Sequence, residues 1–437
     1  MCRRLFTLVF FVLAEKIQKR DILSKYFVLK SEASEPFPQR KKRATELLLS
    51  QILEASLHVP YYRDLFSSLK ISYEKIKNNI QYFSEIPYLT KDIIREQGQR
   101  MLNEKYKLNA LYQRKTGGST GPSTLIYYDK DSLDWTAAQN IVMLQWGGKK
   151  LGEREIHIST RFMEKPTPEG IRLEKRKCFV LNRINILTDN HSPSNMDKLW
   201  KDIRSAHAKS IQGCPSTMYA LANHIKGKGI SVGMPFEIFI STGEMLPEAK
   251  RQFIQKNLHC RVSNRYGAAE FGVIAQERHD APANGLLVSD SLVWPEQYGN
   301  SLDGIGELVI TSLRNKAMPL LRYRMGDIGQ LEENRKGWWI HKLWGRVHDE
   351  VYIGDKLFPT HYILDVLDHR CPGILDFQIA VHNGHAKELR LVAEAAEWND
   401  IEQALASQFP NLPLKRIGMH ELQFVGWRGK FRYVIEV

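Results

Sequence analysis

From Thr45 to His58 the apolar residues Leu47, Leu48, Ile52, Leu53 and Leu57 recur at the spacing of one helical face. Val59-Pro60-Tyr61-Tyr62-Arg63 follows, and its proline is expected to end that helix. An extended Ile86-Pro87-Tyr88-Leu89 leads to Thr90-Lys91-Asp92, which reads as a capped helix start. Leu125-Ile126-Tyr127-Tyr128 predicts a strand, Ser132 to Met143 a helix, and Glu155 to Ser159 another short strand. Further on, Ile211 runs into Gly213-Cys214-Pro215-Ser216, where Ser216 is expected to cap a helix carrying Met218, Leu221, Ala222 and Ile225. The apolar strand Phe236 to Ile240, the helix Pro247 to Leu258 and the strand Arg261 to Arg265 form a crossover unit. Ligands of such sheets sit at the carboxyl ends of strands, which predicts that Thr242 to Glu244 and Tyr266 to Glu270 share one crevice.

This alternation over several hundred residues indicates an α/β fold. Strands are also expected at Gly306 to Thr311 and in Leu320 to Gly329. Near Leu343 to Asp349 the elements become shorter: strands at Val351 to Ile353, Phe377 to Val381, Leu389 to Ala393, Leu422 to Val425 and Phe431 to Ile435, with helices at His361 to Leu367 and Ile401 to Phe409. The expected organisation is an N-terminal helical segment (1–44), a large α/β domain with mixed sheets (45–346) and a small, mobile C-terminal α+β domain (347–437).

The 437 residues exceed one ordinary core, and 43% hydrophobic with 25% charged residues suits a chain folded throughout. A formal charge of +13 is compatible with nucleic acid, an anionic membrane or small anionic substrates. The basic residues are spread out, with short clusters at Gln39 to Arg43 and Arg172 to Lys177, and no zinc-finger, RNP or helix-turn-helix signature accompanies them. A solvated basic surface is expected, and no nucleic-acid partner. The five cysteines are widely separated with no Cys-x-x-Cys pair, which fits a reducing, cytoplasmic compartment and provides no metal site. Arg3 and Arg4 precede an apolar run from Leu5 to Ala14 that is too short to span a bilayer and is followed by Glu15-Lys16, with no small-x-small cleavage site. That segment is expected to be a helix packed on the domain or resting against a membrane surface.

Candidate chemistry begins at Lys115-Thr116-Gly117-Gly118-Ser119-Thr120-Gly121-Pro122-Ser123. Three glycines permit a sharp turn whose N–H groups face an anion, and three hydroxyls add donors; the same composition also serves surface turns. It lacks the Gly-Lys-Ser/Thr ending of the nucleoside-triphosphatase loop. In order after it come Ser241-Thr242-Gly243-Glu244, Tyr266-Gly267-Ala268-Ala269-Glu270, Arg322-Tyr323-Arg324-Met325-Gly326-Asp327, Gly345-Arg346 and Gly429-Lys430.

This ordered set, covering roughly residues 45 to 437, resembles the core motifs of adenylate-forming enzymes. His58 to Arg63 and Gly213 to Ala222 are most similar to the phenylacetate-CoA ligase branch and its capsular-polysaccharide-biosynthesis relatives. The resemblance implies ATP- and Mg²⁺-dependent, AMP-forming activation of a carboxylic acid. The acyl group then passes to an amine, hydroxyl or thiol acceptor. By that resemblance Thr116, Gly117, Gly118, Ser119, Thr120 and Gly121 hold the β- and γ-phosphates, with Thr116 counted among the catalytic residues. Gly243, Glu244, Tyr266 and Gly267 line the nucleotide and acyl pocket, Glu270 ligates magnesium, Asp327 accepts from both ribose hydroxyls, and Arg346 contacts ribose or phosphate. Lys430 neutralises the α-phosphate. Trp146, Tyr219, Met245 and Phe271 are candidates for the acid pocket; His157 and His348, with no positioned partner, stay outside the catalytic set. The chain departs from the pattern at Pro122, where the motif has Lys, at His348, where an acidic residue is common, and at Ile353 to Pro359, which is short and lacks Arg-Gly. The last departure makes coenzyme A the weaker acceptor.

Overall fold

The computed structural model describes residues 2–116, 124–160, 167–188, 190–281, 285–299, 304–346, 350–360, 362–363, 366–367, 371, 373–393, 395–425 and 430–437. The chain forms two compact units, each from two separate stretches of sequence: Met1–Leu151 with Asn264–Leu343, and Gly152–Ser263 with Trp344–Val437.

In the first unit the helix Phe37–His58 starts eight residues before the expected Thr45, with Pro36 at its N-cap and Pro38 in its first turn. Its buried face, Phe37, Arg40, Ala44, Leu48, Gln51, Ile52 and Ala55, keeps the 3.6-residue period. Each fully buried Leu or Ile contributes about 1.5–3 kcal/mol by leaving water. Arg40 corrects the expectation of a wholly solvated basic cluster: it is buried, paired with buried Asp290, and donates to the Lys336 carbonyl. Pro60 ends one helix only to begin another, Pro60–Ser68, because its missing N–H costs nothing in a first turn. Thr90 caps Lys91–Gln97 as expected, its hydroxyl oxygen accepting from Ile93 N.

Strands of this unit lie in the order Val293–Tyr298, Gly306–Ser312, Tyr323–Asn334, Gly337–Arg346, Leu286–Val288, Gly272–Gln276 and Arg261–Ala268. Antiparallel registers include Val293↔Ser312, Trp339↔Leu287 and Tyr266↔Ala275. A separate antiparallel hairpin, Tyr112–Lys115 with Leu125–Tyr128, brackets the glycine-rich loop. The helix Cys2–Ile17 precedes Ile22–Glu32, which packs on Lys130–Trp146 through Tyr26, Leu29, Ala138 and Val142. Among the described residues no helix is long and apolar enough to cross a membrane.

The second unit holds a parallel sheet in the order Ile238–Ser241, Ser210–Gly213, Glu155–Thr160 and Arg183–Thr188. Helices Pro193–Ala206, Pro215–Gly227 and Glu248–Leu258 bury Trp200, Met218 and Ile254 in its core. Pro168–Val180 is a helix with no buried residue, capped by Thr167. The rest of the unit is built on the hairpin Ile374–His382 and His385–Ala393, flanked in parallel by Val434–Glu436 and Leu414–Arg416. Trp398–Gln408 packs there through Ile401 and Leu405.

Candidate active site

The roots of the glycine-rich loop are clamped to each other. Thr116 N donates to the Thr124 carbonyl at 2.9 Å, and Thr124 N donates to Thr116 Oγ1 at 3.0 Å. Thr116 is 1% exposed, so its oxygen closes the loop while its O–H remains a donor. Gly117, Gly118, Ser119, Thr120 and Gly121 lie outside the described residues.

At the far end of this hairpin Tyr128 shares its O–H between the carbonyls of Ala269 and Glu270, each at 2.6 Å. Burial pushes the Tyr128 hydroxyl well above its ordinary pKa, which keeps it a donor. The strand that leaves the loop is thereby tied to the turn that carries Glu270. The Glu270 side chain is buried and accepts from the Tyr323 O–H at 3.2 Å. Tyr323 opens the strand that contains Asp327, and Asp327 Oδ2 accepts from the Tyr266 O–H at 2.7 Å. A hydrogen bond to an ionised acceptor is one of the stronger kinds, and this one orients the carboxylate. The first unit therefore brings Thr116, Tyr266, Glu270 and Asp327 into one hydrogen-bonded framework.

Gly267 is required by a close approach. The strand bulges between Tyr266 and Gly267, and a Cβ on Gly267 would stand 2.5 Å from the Gly272 carbonyl oxygen. Gly272 has φ +77° and a Cβ there would meet Thr136 Cγ2 at 2.5 Å. The motif's glycine is thus explained by packing, whatever it binds.

In the second unit Ser241-Thr242-Gly243-Glu244 follows the end of a parallel strand, and Thr242 N donates to the Gly213 carbonyl of the neighbouring strand at 3.1 Å. Gly243 turns the chain at φ +87°. The Glu244 carboxylate then spans two peptides: one oxygen accepts from Ser216 N at 3.2 Å and the other from Phe431 N at 3.1 Å. Ser216 is therefore not the expected cap. The helix begins at Pro215 with Cys214 at its N-cap, and Glu244 satisfies an N–H of its first turn from another segment. Lys430 pairs with Val425 in a short hairpin, and Arg346 ends the strand that begins at Gly337.

Among the proposed acid-pocket residues, Tyr219 and Phe271 lie in hydrophobic cores and Trp146 is partly buried beneath the Arg278 guanidinium. Sequence reasoning missed Lys250, Asp376 and Tyr433, which surround the Glu244 contact, because their relation spans more than a hundred residues. It also missed buried His191, whose Nε2 lies 3.2 Å from Thr217 Oγ1. No signal in a single sequence marks such pairs.

Among the described residues no three His, Cys, Asp or Glu side chains gather as a metal cluster. A single buried carboxylate at Glu270 fits Mg²⁺, which takes one or two protein carboxylates and completes its shell with water and phosphate oxygens.

This architecture is the acyl-adenylate-forming ligase fold. The chain is similar over 92% of its length to a solved structure of 2-hydroxyisobutyryl-CoA ligase in the postadenylation state with an acyl-AMP, covering 91% of that chain at TM-score 0.71 and 16% identity. No family model matches the sequence. Among curated proteins it is similar to Protein CapK of Staphylococcus aureus, 23% identical over 69% of this chain. The match spans 66% of the length of CapK, just under two thirds. Phenylacetate-coenzyme A ligase of Pseudomonas putida is 25% identical, with 75% of each chain covered.

Proposed function

We propose that this protein activates a carboxylic acid with ATP and passes the acyl group to an amine, hydroxyl or thiol acceptor in the assembly of a surface polysaccharide. A carboxylate oxygen attacks the α-phosphorus, the bond to the β-phosphate oxygen breaks, and acyl-AMP and pyrophosphate result. Two anions meet in that step, so its transition state needs fixed donors and cations. The observation that carries the reading is the hydrogen-bonded framework of Tyr266, Asp327, Tyr323 and Glu270 within this fold.

In this reading Asp327, aligned by Tyr266, accepts from the ribose hydroxyls, and the loop from Thr116 to Gly121 cradles the β- and γ-phosphates. Arg346 contacts ribose or phosphate, and Lys430, on a small domain from residue 347 onward, neutralises the α-phosphate. Glu270 would hold Mg²⁺, which when bound offsets phosphate charge. Acceptor chemistry is the open variable. The similarity to phenylacetate-coenzyme A ligase supports a coenzyme A context and the motif resemblance to capsular-polysaccharide-biosynthesis proteins a polysaccharide one, while the short hairpin Glu350–Ile353 with Lys356–Pro359 favours an acceptor other than coenzyme A. The protein acts in the cytoplasm, with Cys2–Ile17 resting on a membrane face through its exposed Phe6, Val9, Leu13 and Ile17.

Carboxylate-dependent pyrophosphate release from ATP, across aryl, fatty, amino and sugar acids, tests the central step. Release with one acid class and its loss in Lys430→Ala is the expected result. Undiminished release in Lys430→Ala overturns the assignment.

A further inference from the structure

The backbone beside Lys430 is gripped by groups outside the framework of Tyr266, Asp327, Tyr323 and Glu270. Lys250, on the helix Glu248–Leu258, is buried, and its Nζ lies 2.6 Å from Oδ2 of Asp376, itself 1% exposed on the strand Ile374–His382. The Lys250 ammonium also stands 5.0, 5.5 and 5.7 Å from the ring centroids of Phe431, Tyr433 and Tyr219. Tyr433 stacks on Phe377 at 4.5 Å and meets the edge of Phe431 at 5.1 Å. From the same strand as Asp376, Gln378 Nε2 donates to the carbonyls of Gln423 at 2.7 Å and Arg432 at 2.9 Å. Glu244 accepts from Phe431 N, the amide that follows the Lys430 carbonyl. Burial disfavours the charge on Lys250, and Asp376 with Tyr433 outweighs it, so the ammonium is held above its ordinary range.

An apolar contact tolerates sliding, whereas a buried ion pair is satisfied in one arrangement only and is costly when one partner is lost. Three aromatic faces around one ammonium add a second directional constraint. We propose that Lys250, through Asp376 and the aromatic cage, and Glu244, through the Phe431 amide, are positioning residues that set where Lys430 stands. The inference rests on the adenylation reading for its functional meaning. Its structural content is independent of that reading: the Phe431–Tyr433 segment is held by these two groups.

Amide hydrogen exchange of peptides covering residues 423–437, in the full chain, tests this without any activity. Lys250→Met and Glu244→Ala are each expected to raise exchange there about tenfold or more, with peptides from 112–116 unchanged. Lys250→Arg, which keeps the charge but changes its shape, is expected to fall between. In single-turnover pyrophosphate release Lys250→Met should slow adenylation about tenfold or more with ATP affinity held within about twofold. Should Lys250→Met fail to fold, Glu244→Ala and Lys250→Arg carry the exchange measurement. Unchanged exchange in the folded variants overturns the proposal, as does slowed adenylation that only tracks the folded fraction. A wild type that releases no pyrophosphate with any acid, yet shows the exchange differences, refutes the adenylation reading and leaves the positioning intact.

Discussion

Arg322 is expected to be the costliest single side chain to remove from the first unit. Its backbone sits at φ +51°, in the left-handed region that a Cβ disfavours, and its side chain is nearly fully buried. The guanidinium donates to the carbonyls of Ser84 and Ile86, each at 2.6 Å, reaches Glu296 Oε1 at 3.1 Å, and lies 4.1 Å from the Tyr88 ring centroid. Burial raises the Glu296 carboxyl while Arg322 pulls it down, so removing the arginine leaves only the unfavourable influence. Breaking a buried ion pair from one side costs about 3–5 kcal/mol, and two orphaned carbonyls act in the same direction without simple addition. Arg322→Ala should therefore cost about 3–5 kcal/mol. Arg322→Gly should cost about 1 kcal/mol less, because glycine accepts the positive φ that alanine still bears. Amide exchange in peptides covering 84–97 and 320–330 reads this unit separately, which matters because a chain of two compact units need not unfold in one step. An alanine variant within about 1 kcal/mol of wild type, or a glycine variant less stable than the alanine one, refutes the reasoning. On the proposed ribose role of Asp327, five residues beyond, ATP affinity should fall in parallel.

Two further outcomes follow from groups outside the proposed site. Burial, with Lys250 nearby, lowers the His191 pKa to about 4, so the folded state resists a proton that the unfolded chain accepts near 6.5. Stability from this residue is complete above about pH 6.5 and is lost as pH falls toward 4, by about 3 kcal/mol in all. His191→Asn should flatten that part of the denaturant-midpoint profile, and an unchanged slope would count against it. On the helix Cys2–Ile17, Glu15 turns inward, its carboxylate accepting from the Leu23 amide at 2.8 Å, while Lys16, and Lys19 in the turn that follows, stay exposed. Leu13→Glu with Ile17→Glu should weaken binding to phosphatidylglycerol-containing vesicles about tenfold, and equal cosedimentation would exclude this face as the contact.

Local order was legible wherever one segment decides its own shape. The strand Leu125–Tyr128, the Thr90 cap and the helix ending at Leu258 follow from alternation, a cap residue and period. Prolines were harder: the same residue that stops one helix opens the next at Pro60, and only the packing of Tyr62 and Phe66 decides between the two. Arg40, in a run of basic residues, reads as solvated until Asp290 is found opposite it, 250 positions away. Motif order drew attention to Tyr266, Glu270 and Asp327 through the glycines beside them, the first and last on strands and Glu270 on a turn. Tyr128 and Tyr323, which hold the Glu270 backbone and side chain, look like ordinary strand residues, because a hydrogen-bond partner at long range leaves no periodic trace.

The division of each unit between two stretches of chain has a consequence for how the protein is made. Core residues such as Leu48 and Tyr128 find partners in Val288, Leu308 and Tyr323, which leave the ribosome long after them. At about 5–20 residues per second the 192 positions between Leu151 and Leu343 take roughly 10–40 s to synthesise. Through that interval the first stretch has its apolar face without its complement, whereas the intervening parallel sheet can close over its own helices. Nascent chains arrested near residue 263 should accordingly be protease-resistant in the later segment and bound by chaperones through the earlier one.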